Sequence, residues 1–220
     1  MKQAIAMVLL LCMLLWEGCK EEDYVYPSVV TEFIGAQTDS GGTISQLVAD
    51  NGTVYPVLQR DGLGGLIADT LYRTISIYEP LPQEDGKETA AQLYSCQLVL
   101  SMNPLAEKAF KGQIKTDPVD IQSIWLSGNY VNMILLVQYK DQTHAYHFID
   151  EGFTANEDGT QTLNLRLYHD RKNDYEAFTK QVYLSVPLKK YLQSLQKGDK
   201  IRFYLNTYKE QETYREFDYQ

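Results

Sequence analysis

The stretch 130–139, YVNMILLVQY, constrains the fold most. Val131, Met133, Leu135, Val137 and Tyr139 fall on alternate positions, which is the period of a β-strand with one buried face. The pattern returns three times downstream. Leu163, Leu165 and Leu167 alternate with Asn164, Arg166 and Tyr168; Val182, Leu184 and Val186 with Tyr183 and Ser185; Ile201, Phe203 and Leu205 with Arg202, Tyr204 and Asn206. Residues 121–127 and 143–149 read as further strands. Gly128-Asn129, Lys140-Asp141-Gln142 and Asn156-Glu157-Asp158-Gly159 supply turns. Short strands separated by turns predict a β-sandwich over residues 118–220. One short helix is predicted within it. Pro187 would start it, Leu188, Tyr191, Leu192 and Leu195 share a face, Lys197 sits in the last turn and Gly198 ends it.

The upstream half is also β in pattern, with strands expected at 29–34, 43–48, 53–58, 70–78 and 92–100. Asp50-Asn51-Gly52 marks a tight hairpin, because Asn-Gly accepts positive φ. Gly62, Gly64 and Gly65 read as a flexible connector. They lack the helix and lysine of a phosphate loop. Leu71, Arg73, Ile75 and Ile77 share one strand face, and 79–90 is a polar loop. These features suit a small OB-fold-like barrel over residues 28–102. Asn103-Pro104 then resembles a helix start and Gly112 a stop, so 103–117 is expected to be a short helix and linker. The fold class expected is mainly β, an N-terminal OB-fold-like small barrel followed by a C-terminal β-sandwich with one short capping helix.

The N-terminus carries an address. Lys2 precedes an apolar run from Ala4 to Trp16, shorter than the roughly 18 residues a membrane span needs. Gly18 then precedes Cys19. Residues 1–18 read as a lipoprotein signal peptide, Cys19 as the lipidated first residue and 19–27 as a tether. Trp16 and Glu17 depart from the small or aliphatic residues usual before that glycine. Two or more acyl chains anchor a domain stably, so the partner implied is a membrane, reached through the N-terminal lipid. Lys20, Glu21, Glu22 and Asp23 would form a solvated tether. Lys20-Glu21-Glu22 also resembles the lipoprotein export signal of Bacteroidota, which implies an outer-membrane lipoprotein displayed at the cell surface; the periplasmic face is the alternative.

Composition excludes several functions. At 44% hydrophobic and 22% charged residues the 220-residue chain is ordinary for a folded protein. A net charge of −9 without a basic stripe argues against nucleic acid, whose binding rests on phosphate neutralisation. Cys12 would leave with the signal and Cys19 carry lipid, so Cys96 remains as a structural thiol in a strand. His144 and His147 lie three apart on a strand and should face opposite ways. His169-Asp170 leads into Arg171-Lys172-Asn173-Asp174, which reads as a polar loop. Asp39, Asp50, Asp61 and Asp69 fit no calcium loop, and no hydrolase or zinc motif occurs. No catalytic residue, metal ligand or cofactor is therefore assigned, and the chain is not read as an enzyme. Of 17 tyrosines, Tyr168, Tyr183, Tyr204 and Tyr208 fall on polar strand faces. They are the candidate binding surface, since tyrosine gives rigid amphipathic contact area. The alternative is that they simply cover the sheet.

Three segments together resemble a family. Tyr26-Pro27-Ser28-Val29-Val30-Thr31-Glu32-Phe33, Ala36-Gln37-Thr38-Asp39 and Tyr183-Leu184-Ser185-Val186-Pro187-Leu188 are similar to the NigD-like lipoproteins of Bacteroidota. The resemblance implies an OB-fold module followed by a β-sandwich, and a bacteriocin-immunity role with no catalytic residue to carry over. The function expected is a non-enzymatic, lipid-anchored binding module of the cell envelope for an unknown protein or glycan. A structural subunit of an outer-membrane or adhesin complex is one alternative. A glycan-active enzyme is a second, because paired carboxylates can be distant in sequence.

Overall fold

Alternation of apolar and polar residues sets the long strands of the C-terminal half, as in Leu163 to Leu167 and Ile201 to Leu205. The computed structural model describes residues 27–82 and 89–220. The expected signal peptide, Cys19 and Lys20, Glu21 and Glu22 lie outside the described residues.

The first five strands are β1 (Val30–Thr38), β2 (Ile44–Val48), β3 (Val54–Pro56), β4 (Leu71–Leu81) and β5 (Ala90–Leu98). They form one sheet in the order β3-β2-β1-β4-β5, every neighbour antiparallel. The sheet curls until its ends meet: Val57 bridges Ala91 in parallel, and the Leu58 N–H donates to the Ala91 carbonyl at 2.9 Å. This is the closure expected of an OB-like barrel. Ile34, Ala36, Leu47, Tyr78, Ala91 and Leu93 fill the interior.

Two details refine the sequence reading. The glycine-rich segment is pinned rather than loose. Leu63 is buried in the barrel core, its carbonyl accepts the Ile44 N–H at 3.0 Å, and the Leu66 N–H donates to the Gly42 carbonyl at 3.1 Å. On β4, the buried residues of the inward row are Thr74, Ser76 and Tyr78. The Thr74 hydroxyl bonds the Ile34 carbonyl and Ser76, so this polar row is satisfied inside the barrel. Leu71, Arg73, Ile75 and Ile77 therefore face away from the barrel interior.

The remaining strands are β6 (Leu100–Ser101), β7 (Leu105–Ala106), β8 (Asp120–Ser127), β9 (Tyr130–Tyr139), β10 (Ala145–Ala155), β11 (Gln161–Asp170), β12 (Phe178–Pro187), β13 (Lys200–Leu205) and β14 (Thr213–Asp218). They build two sheets, β6-β12-β9-β8 and β14-β13-β11-β10-β7. The alternating residues named above meet between them. Val131, Met133, Leu135, Leu163, Leu165, Leu184, Ile201 and Phe203 are fully buried in one core, the arrangement of a β-sandwich. The short β6 and β7 add one parallel strand to the edge of each sheet.

Both predicted helices are corrected. Leu105 and Ala106 pair with Ile149 and Asp150 on β10, so the chain there is extended. Only a four-residue 3-10 turn follows, Glu107–Phe110, ended by Lys111 at φ 52°. Downstream, pairing of Pro187 with Tyr130 prolongs β12 through the expected helix start. What remains is a 3-10 turn at Lys189–Tyr191. Leu188, Tyr191 and Leu195 are still buried, so the apolar spacing marked burial and not an α-helix. The capping helix of the expected sandwich is thus a 3-10 turn.

Candidate functional site

The outward face of β4 meets the outer face of the β9–β12 pair, and the contact is polar at its centre. Arg73 is 7% exposed. Its two terminal nitrogens donate to the Asp50 carboxylate at 2.5 and 2.8 Å, one of them also to Asn132 Oδ1 at 2.9 Å, and its Nε to Ser185 Oγ at 3.2 Å. Ser185 in turn donates to Asn132 Oδ1 at 2.7 Å. Asn132 and Ser185 are cross-strand partners on β9 and β12, so one register fixes both acceptors. The Tyr130 ring lies 4.0 Å from the guanidinium carbon, a cation–π contact. Beside this network Phe33 packs edge-on against Trp125 at 5.1 Å and Tyr183 at 6.1 Å. The Asn132 amide nitrogen is buried without a partner among the described residues.

A second cluster joins histidines that the sequence reading kept apart. His144 Nδ1 lies 3.0 Å from His169 Nε2, and His144 Nε2 lies 3.3 Å from Asp174 Oδ2. His169 Nδ1 is 2.8 Å from the Asp117 carbonyl, which can only accept. Burial works against ionisation of Asp174. The backbone N–H groups of Lys140, Asp141, Gln142 and Tyr175 outweigh it and hold the carboxyl down at about 2. Burial lowers the His169 pKa below its usual value, and neighbouring His144 adds to that, against the Asp117 carbonyl. Tyr146 stacks on His169 with centroids 4.8 Å apart. Every ring nitrogen of the two histidines is engaged within the cluster, which makes it a buried structural network. His147 points elsewhere, edge-on to Phe110 at 5.6 Å. Among the described residues no group of three or more His, Cys, Asp or Glu is placed to hold a metal ion.

The four tyrosines singled out from sequence do not gather in one place. Tyr168 stacks on Phe110 at 5.0 Å, and Tyr204 lies between Arg166 and Tyr214; both belong to the outer face of the β11–β13 pair. Tyr183 sits at the junction against Phe33. The Tyr208 hydroxyl accepts the Gln138 N–H at 3.0 Å. Sequence reasoning missed the two pairs that matter most structurally. A lone arginine in an otherwise apolar strand row was the available sign of Arg73. For the histidines, counting outward from the turn at Asn156 to Gly159 would set His147 opposite His169; the bulge between Asp150 and Gly152 shifts the register so that Tyr146 stands there, one diagonal step from His144.

Two concave surfaces flank this frame. The larger, about 680 Å³, lies between β8 and the end of β14 and is lined by Trp125, Phe217 and Tyr219. A groove of about 280 Å³ runs from Leu98 on β5 past Tyr183 and Lys180 on β12 to His144 and Tyr146. Among the described residues no Asp or Glu lines that groove. Lys180 Nζ rests 4.5 Å from the Tyr139 ring centroid.

Residues 101–219 match the family model of the NigD-like C-terminal beta sandwich domain. The chain belongs to the NigD-like family. Its fold is shared with a NigD-like immunity protein from Bacteroides caccae, at TM-score 0.69 and 30% identity, covering 90% of this chain and 100% of that one. A protein of unknown function from Bacteroides vulgatus has TM-score 0.69 and 21% identity over 88% of this chain and 92% of its own. A Bacteroides fragilis protein named "Putative lipoprotein" has TM-score 0.59 and 13% identity over 88% and 99%. These last two show the fold alone. No curated protein matches the NigD-like chain. Among its described residues no helix is long and apolar enough to cross a membrane.

Proposed function

We propose that this NigD-like protein is a non-enzymatic, lipid-anchored binding module of the cell envelope that serves in bacteriocin immunity. The observation that carries the reading is its likeness, at 30% identity over 90% of the chain, to a NigD-like immunity protein. Two further features support it. The buried Arg73 and His144–His169–Asp174 networks, the Asn132 amide nitrogen apart, keep their polar groups for one another, as structural networks do. The open surfaces are shallow and aromatic, the character of contact surfaces rather than of enclosed reaction chambers.

The test is survival. A bacteriocin-sensitive host of the same bacterial group is given the full chain or its Cys19→Ala variant and exposed to supernatants of bacteriocin-producing strains. The wild type is expected to raise survival and to take up an alkyne-labelled fatty acid; the variant should do neither. Protease shaving of intact cells, with a Lys20→Ala/Glu21→Ala/Glu22→Ala variant alongside, separates surface from periplasmic display. Equal killing with and without the correctly labelled wild type would sink the immunity reading.

A further inference from the structure

The register of β12 leaves one of its edges open. Gln138 on β9 gives its N–H to Tyr208, away from β12, and the Leu188 N–H reaches back to Asn129. Antiparallel partners alternate between bonded and unbonded pairs. Tyr139–Phe178, Val137–Lys180 and Leu135–Val182 are therefore the bonded pairs of this ladder. It follows that Thr179, Gln181 and Tyr183 point their N–H and C=O groups away from β9. The strand on that side, β6, pairs at Leu184 and Ser185, and because Leu184 turns its own groups to β9 this pairing takes up the Tyr183 carbonyl and the Ser185 backbone. Among the described residues nothing pairs with the outward N–H and C=O groups of Thr179 and Gln181 or with the Tyr183 N–H.

Such an edge is a template for another strand unless it is blocked. Neighbouring edges do carry blocks. On β10 the Phe148 N–H is bonded by His147 Nδ1 at 2.8 Å, and β14 bears Arg215, Glu216 and Asp218, whereas the one charge between Phe178 and Tyr183, Lys180, is laid onto the Tyr139 ring. β12 instead borders the groove of about 280 Å³, with exposed Leu98 and Phe178 close by. Lys180 at its mouth makes no ion pair among the described residues, its cation resting only on Tyr139. In a chain of net charge −9, this groove presents a lysine and, among the described residues, no carboxylate.

We propose that the outward edge of β12, at Thr179, Gln181 and Tyr183, docks an extended acidic segment of a partner protein as an added β-strand. The added strand would continue the line of β6, which this sheet already accepts. Main-chain bonds would hold the segment, and Lys180 would select a carboxylate on it, the division of labour usual in strand addition. The proposal rests on the reading of the chain as a binding module and names the chemistry of its partner.

The test pans a displayed library of random nine-residue peptides on residues 19–220, made soluble by Cys19→Ser. Enrichment of acidic sequences is expected. Gln181→Pro removes an outward N–H without touching the β9 ladder, and should weaken the enriched peptides about tenfold or more. Lys180→Glu should invert the preference toward basic peptides, which a merely structural residue would not do. Circular dichroism checks that both variants keep the fold. Absence of enrichment would overturn the proposal. So would peptides bound equally by Gln181→Pro, or a dimer of the chain that Gln181→Pro abolishes. None of these results touches bacteriocin survival, so the immunity reading stands or falls separately.

Discussion

Arg73 and Asp50 form a two-pronged ion pair, at 2.5 and 2.8 Å, within the barrel module, while the same guanidinium reaches Asn132 and Ser185 in the sandwich. One side chain thus ties the hairpin after β2, the strand β4 and the β9–β12 ladder together. Both partners are nearly buried, with side-chain exposures of 4% and 10%.

Removing one partner should cost more than removing both. Arg73→Met leaves the Asp50 carboxylate buried and unpaired, and is expected to lose about 3–5 kcal/mol. Arg73→Met combined with Asp50→Leu should recover much of that loss, because no charge is stranded. Urea unfolding of the four proteins in the cycle measures the coupling; equal losses in the single and double variants would contradict it.

Gly128 separates space from backbone conformation. It has φ 51°, and a Cβ there would lie 2.5 Å from the Asp50 carbonyl oxygen. Gly52 has φ 87° with nothing within 4 Å. Gly52→Ala should cost about 1–2 kcal/mol for left-handed backbone alone. Gly128→Ala should cost about 2–5 kcal/mol, since it also pushes the two modules apart. Thermal melts of the two variants decide between them.

Acid stability should pass through the His169–Asp174 cluster. Asp174 is held at about 2 against an ordinary 3.8. The folded state therefore gains stability above pH 3.8 that is lost as pH falls toward 2. His169 has a folded pKa below its usual 6.5, so the unfolded chain takes that proton first and stability also declines as pH drops below 6.5. Asp174→Asn should flatten the lower slope and His169→Gln the upper one, read as unfolding midpoint against pH.

Leu63 is the plug of the glycine-rich segment. Leu63→Ala is expected to lose about 2–4 kcal/mol, as a buried leucine does. Ile67, 71% exposed in the same segment, should change stability by less than about 0.5 kcal/mol when made alanine. Denaturant midpoints compare the two.

The strands were legible because their information is local. Val131 to Val137 and Ile201 to Leu205 announce a buried face every second residue, and the turn at Asn156 to Gly159 sits where the sequence puts it. The helices were misread for the same reason. Leu188, Tyr191 and Leu195 have helical spacing, but strand pairing at Pro187 and the short connection to β13 left room only for a 3-10 turn. The polar networks depend on register between distant segments. Nothing near position 73 points to Asn132 or Ser185, and Asp174 meets His144 only because the β10–β11 hairpin and the loop after β11 bring them together. The candidate tyrosines show the reverse case: residue type was readable, but their dispersal over separate surfaces was not.

The first strand has a mechanical consequence. β1 lies inside its sheet, bonded to β2 on one side and along most of its length to β4 on the other. Residues 27–29 lead straight into it. Inter-strand bonds run perpendicular to the strands, so tension applied to the N-terminal end along β1 loads both ladders in shear, many bonds at once, instead of peeling them singly. A pull on the N-terminal end of the barrel therefore meets two ladders together and not a single peeling edge.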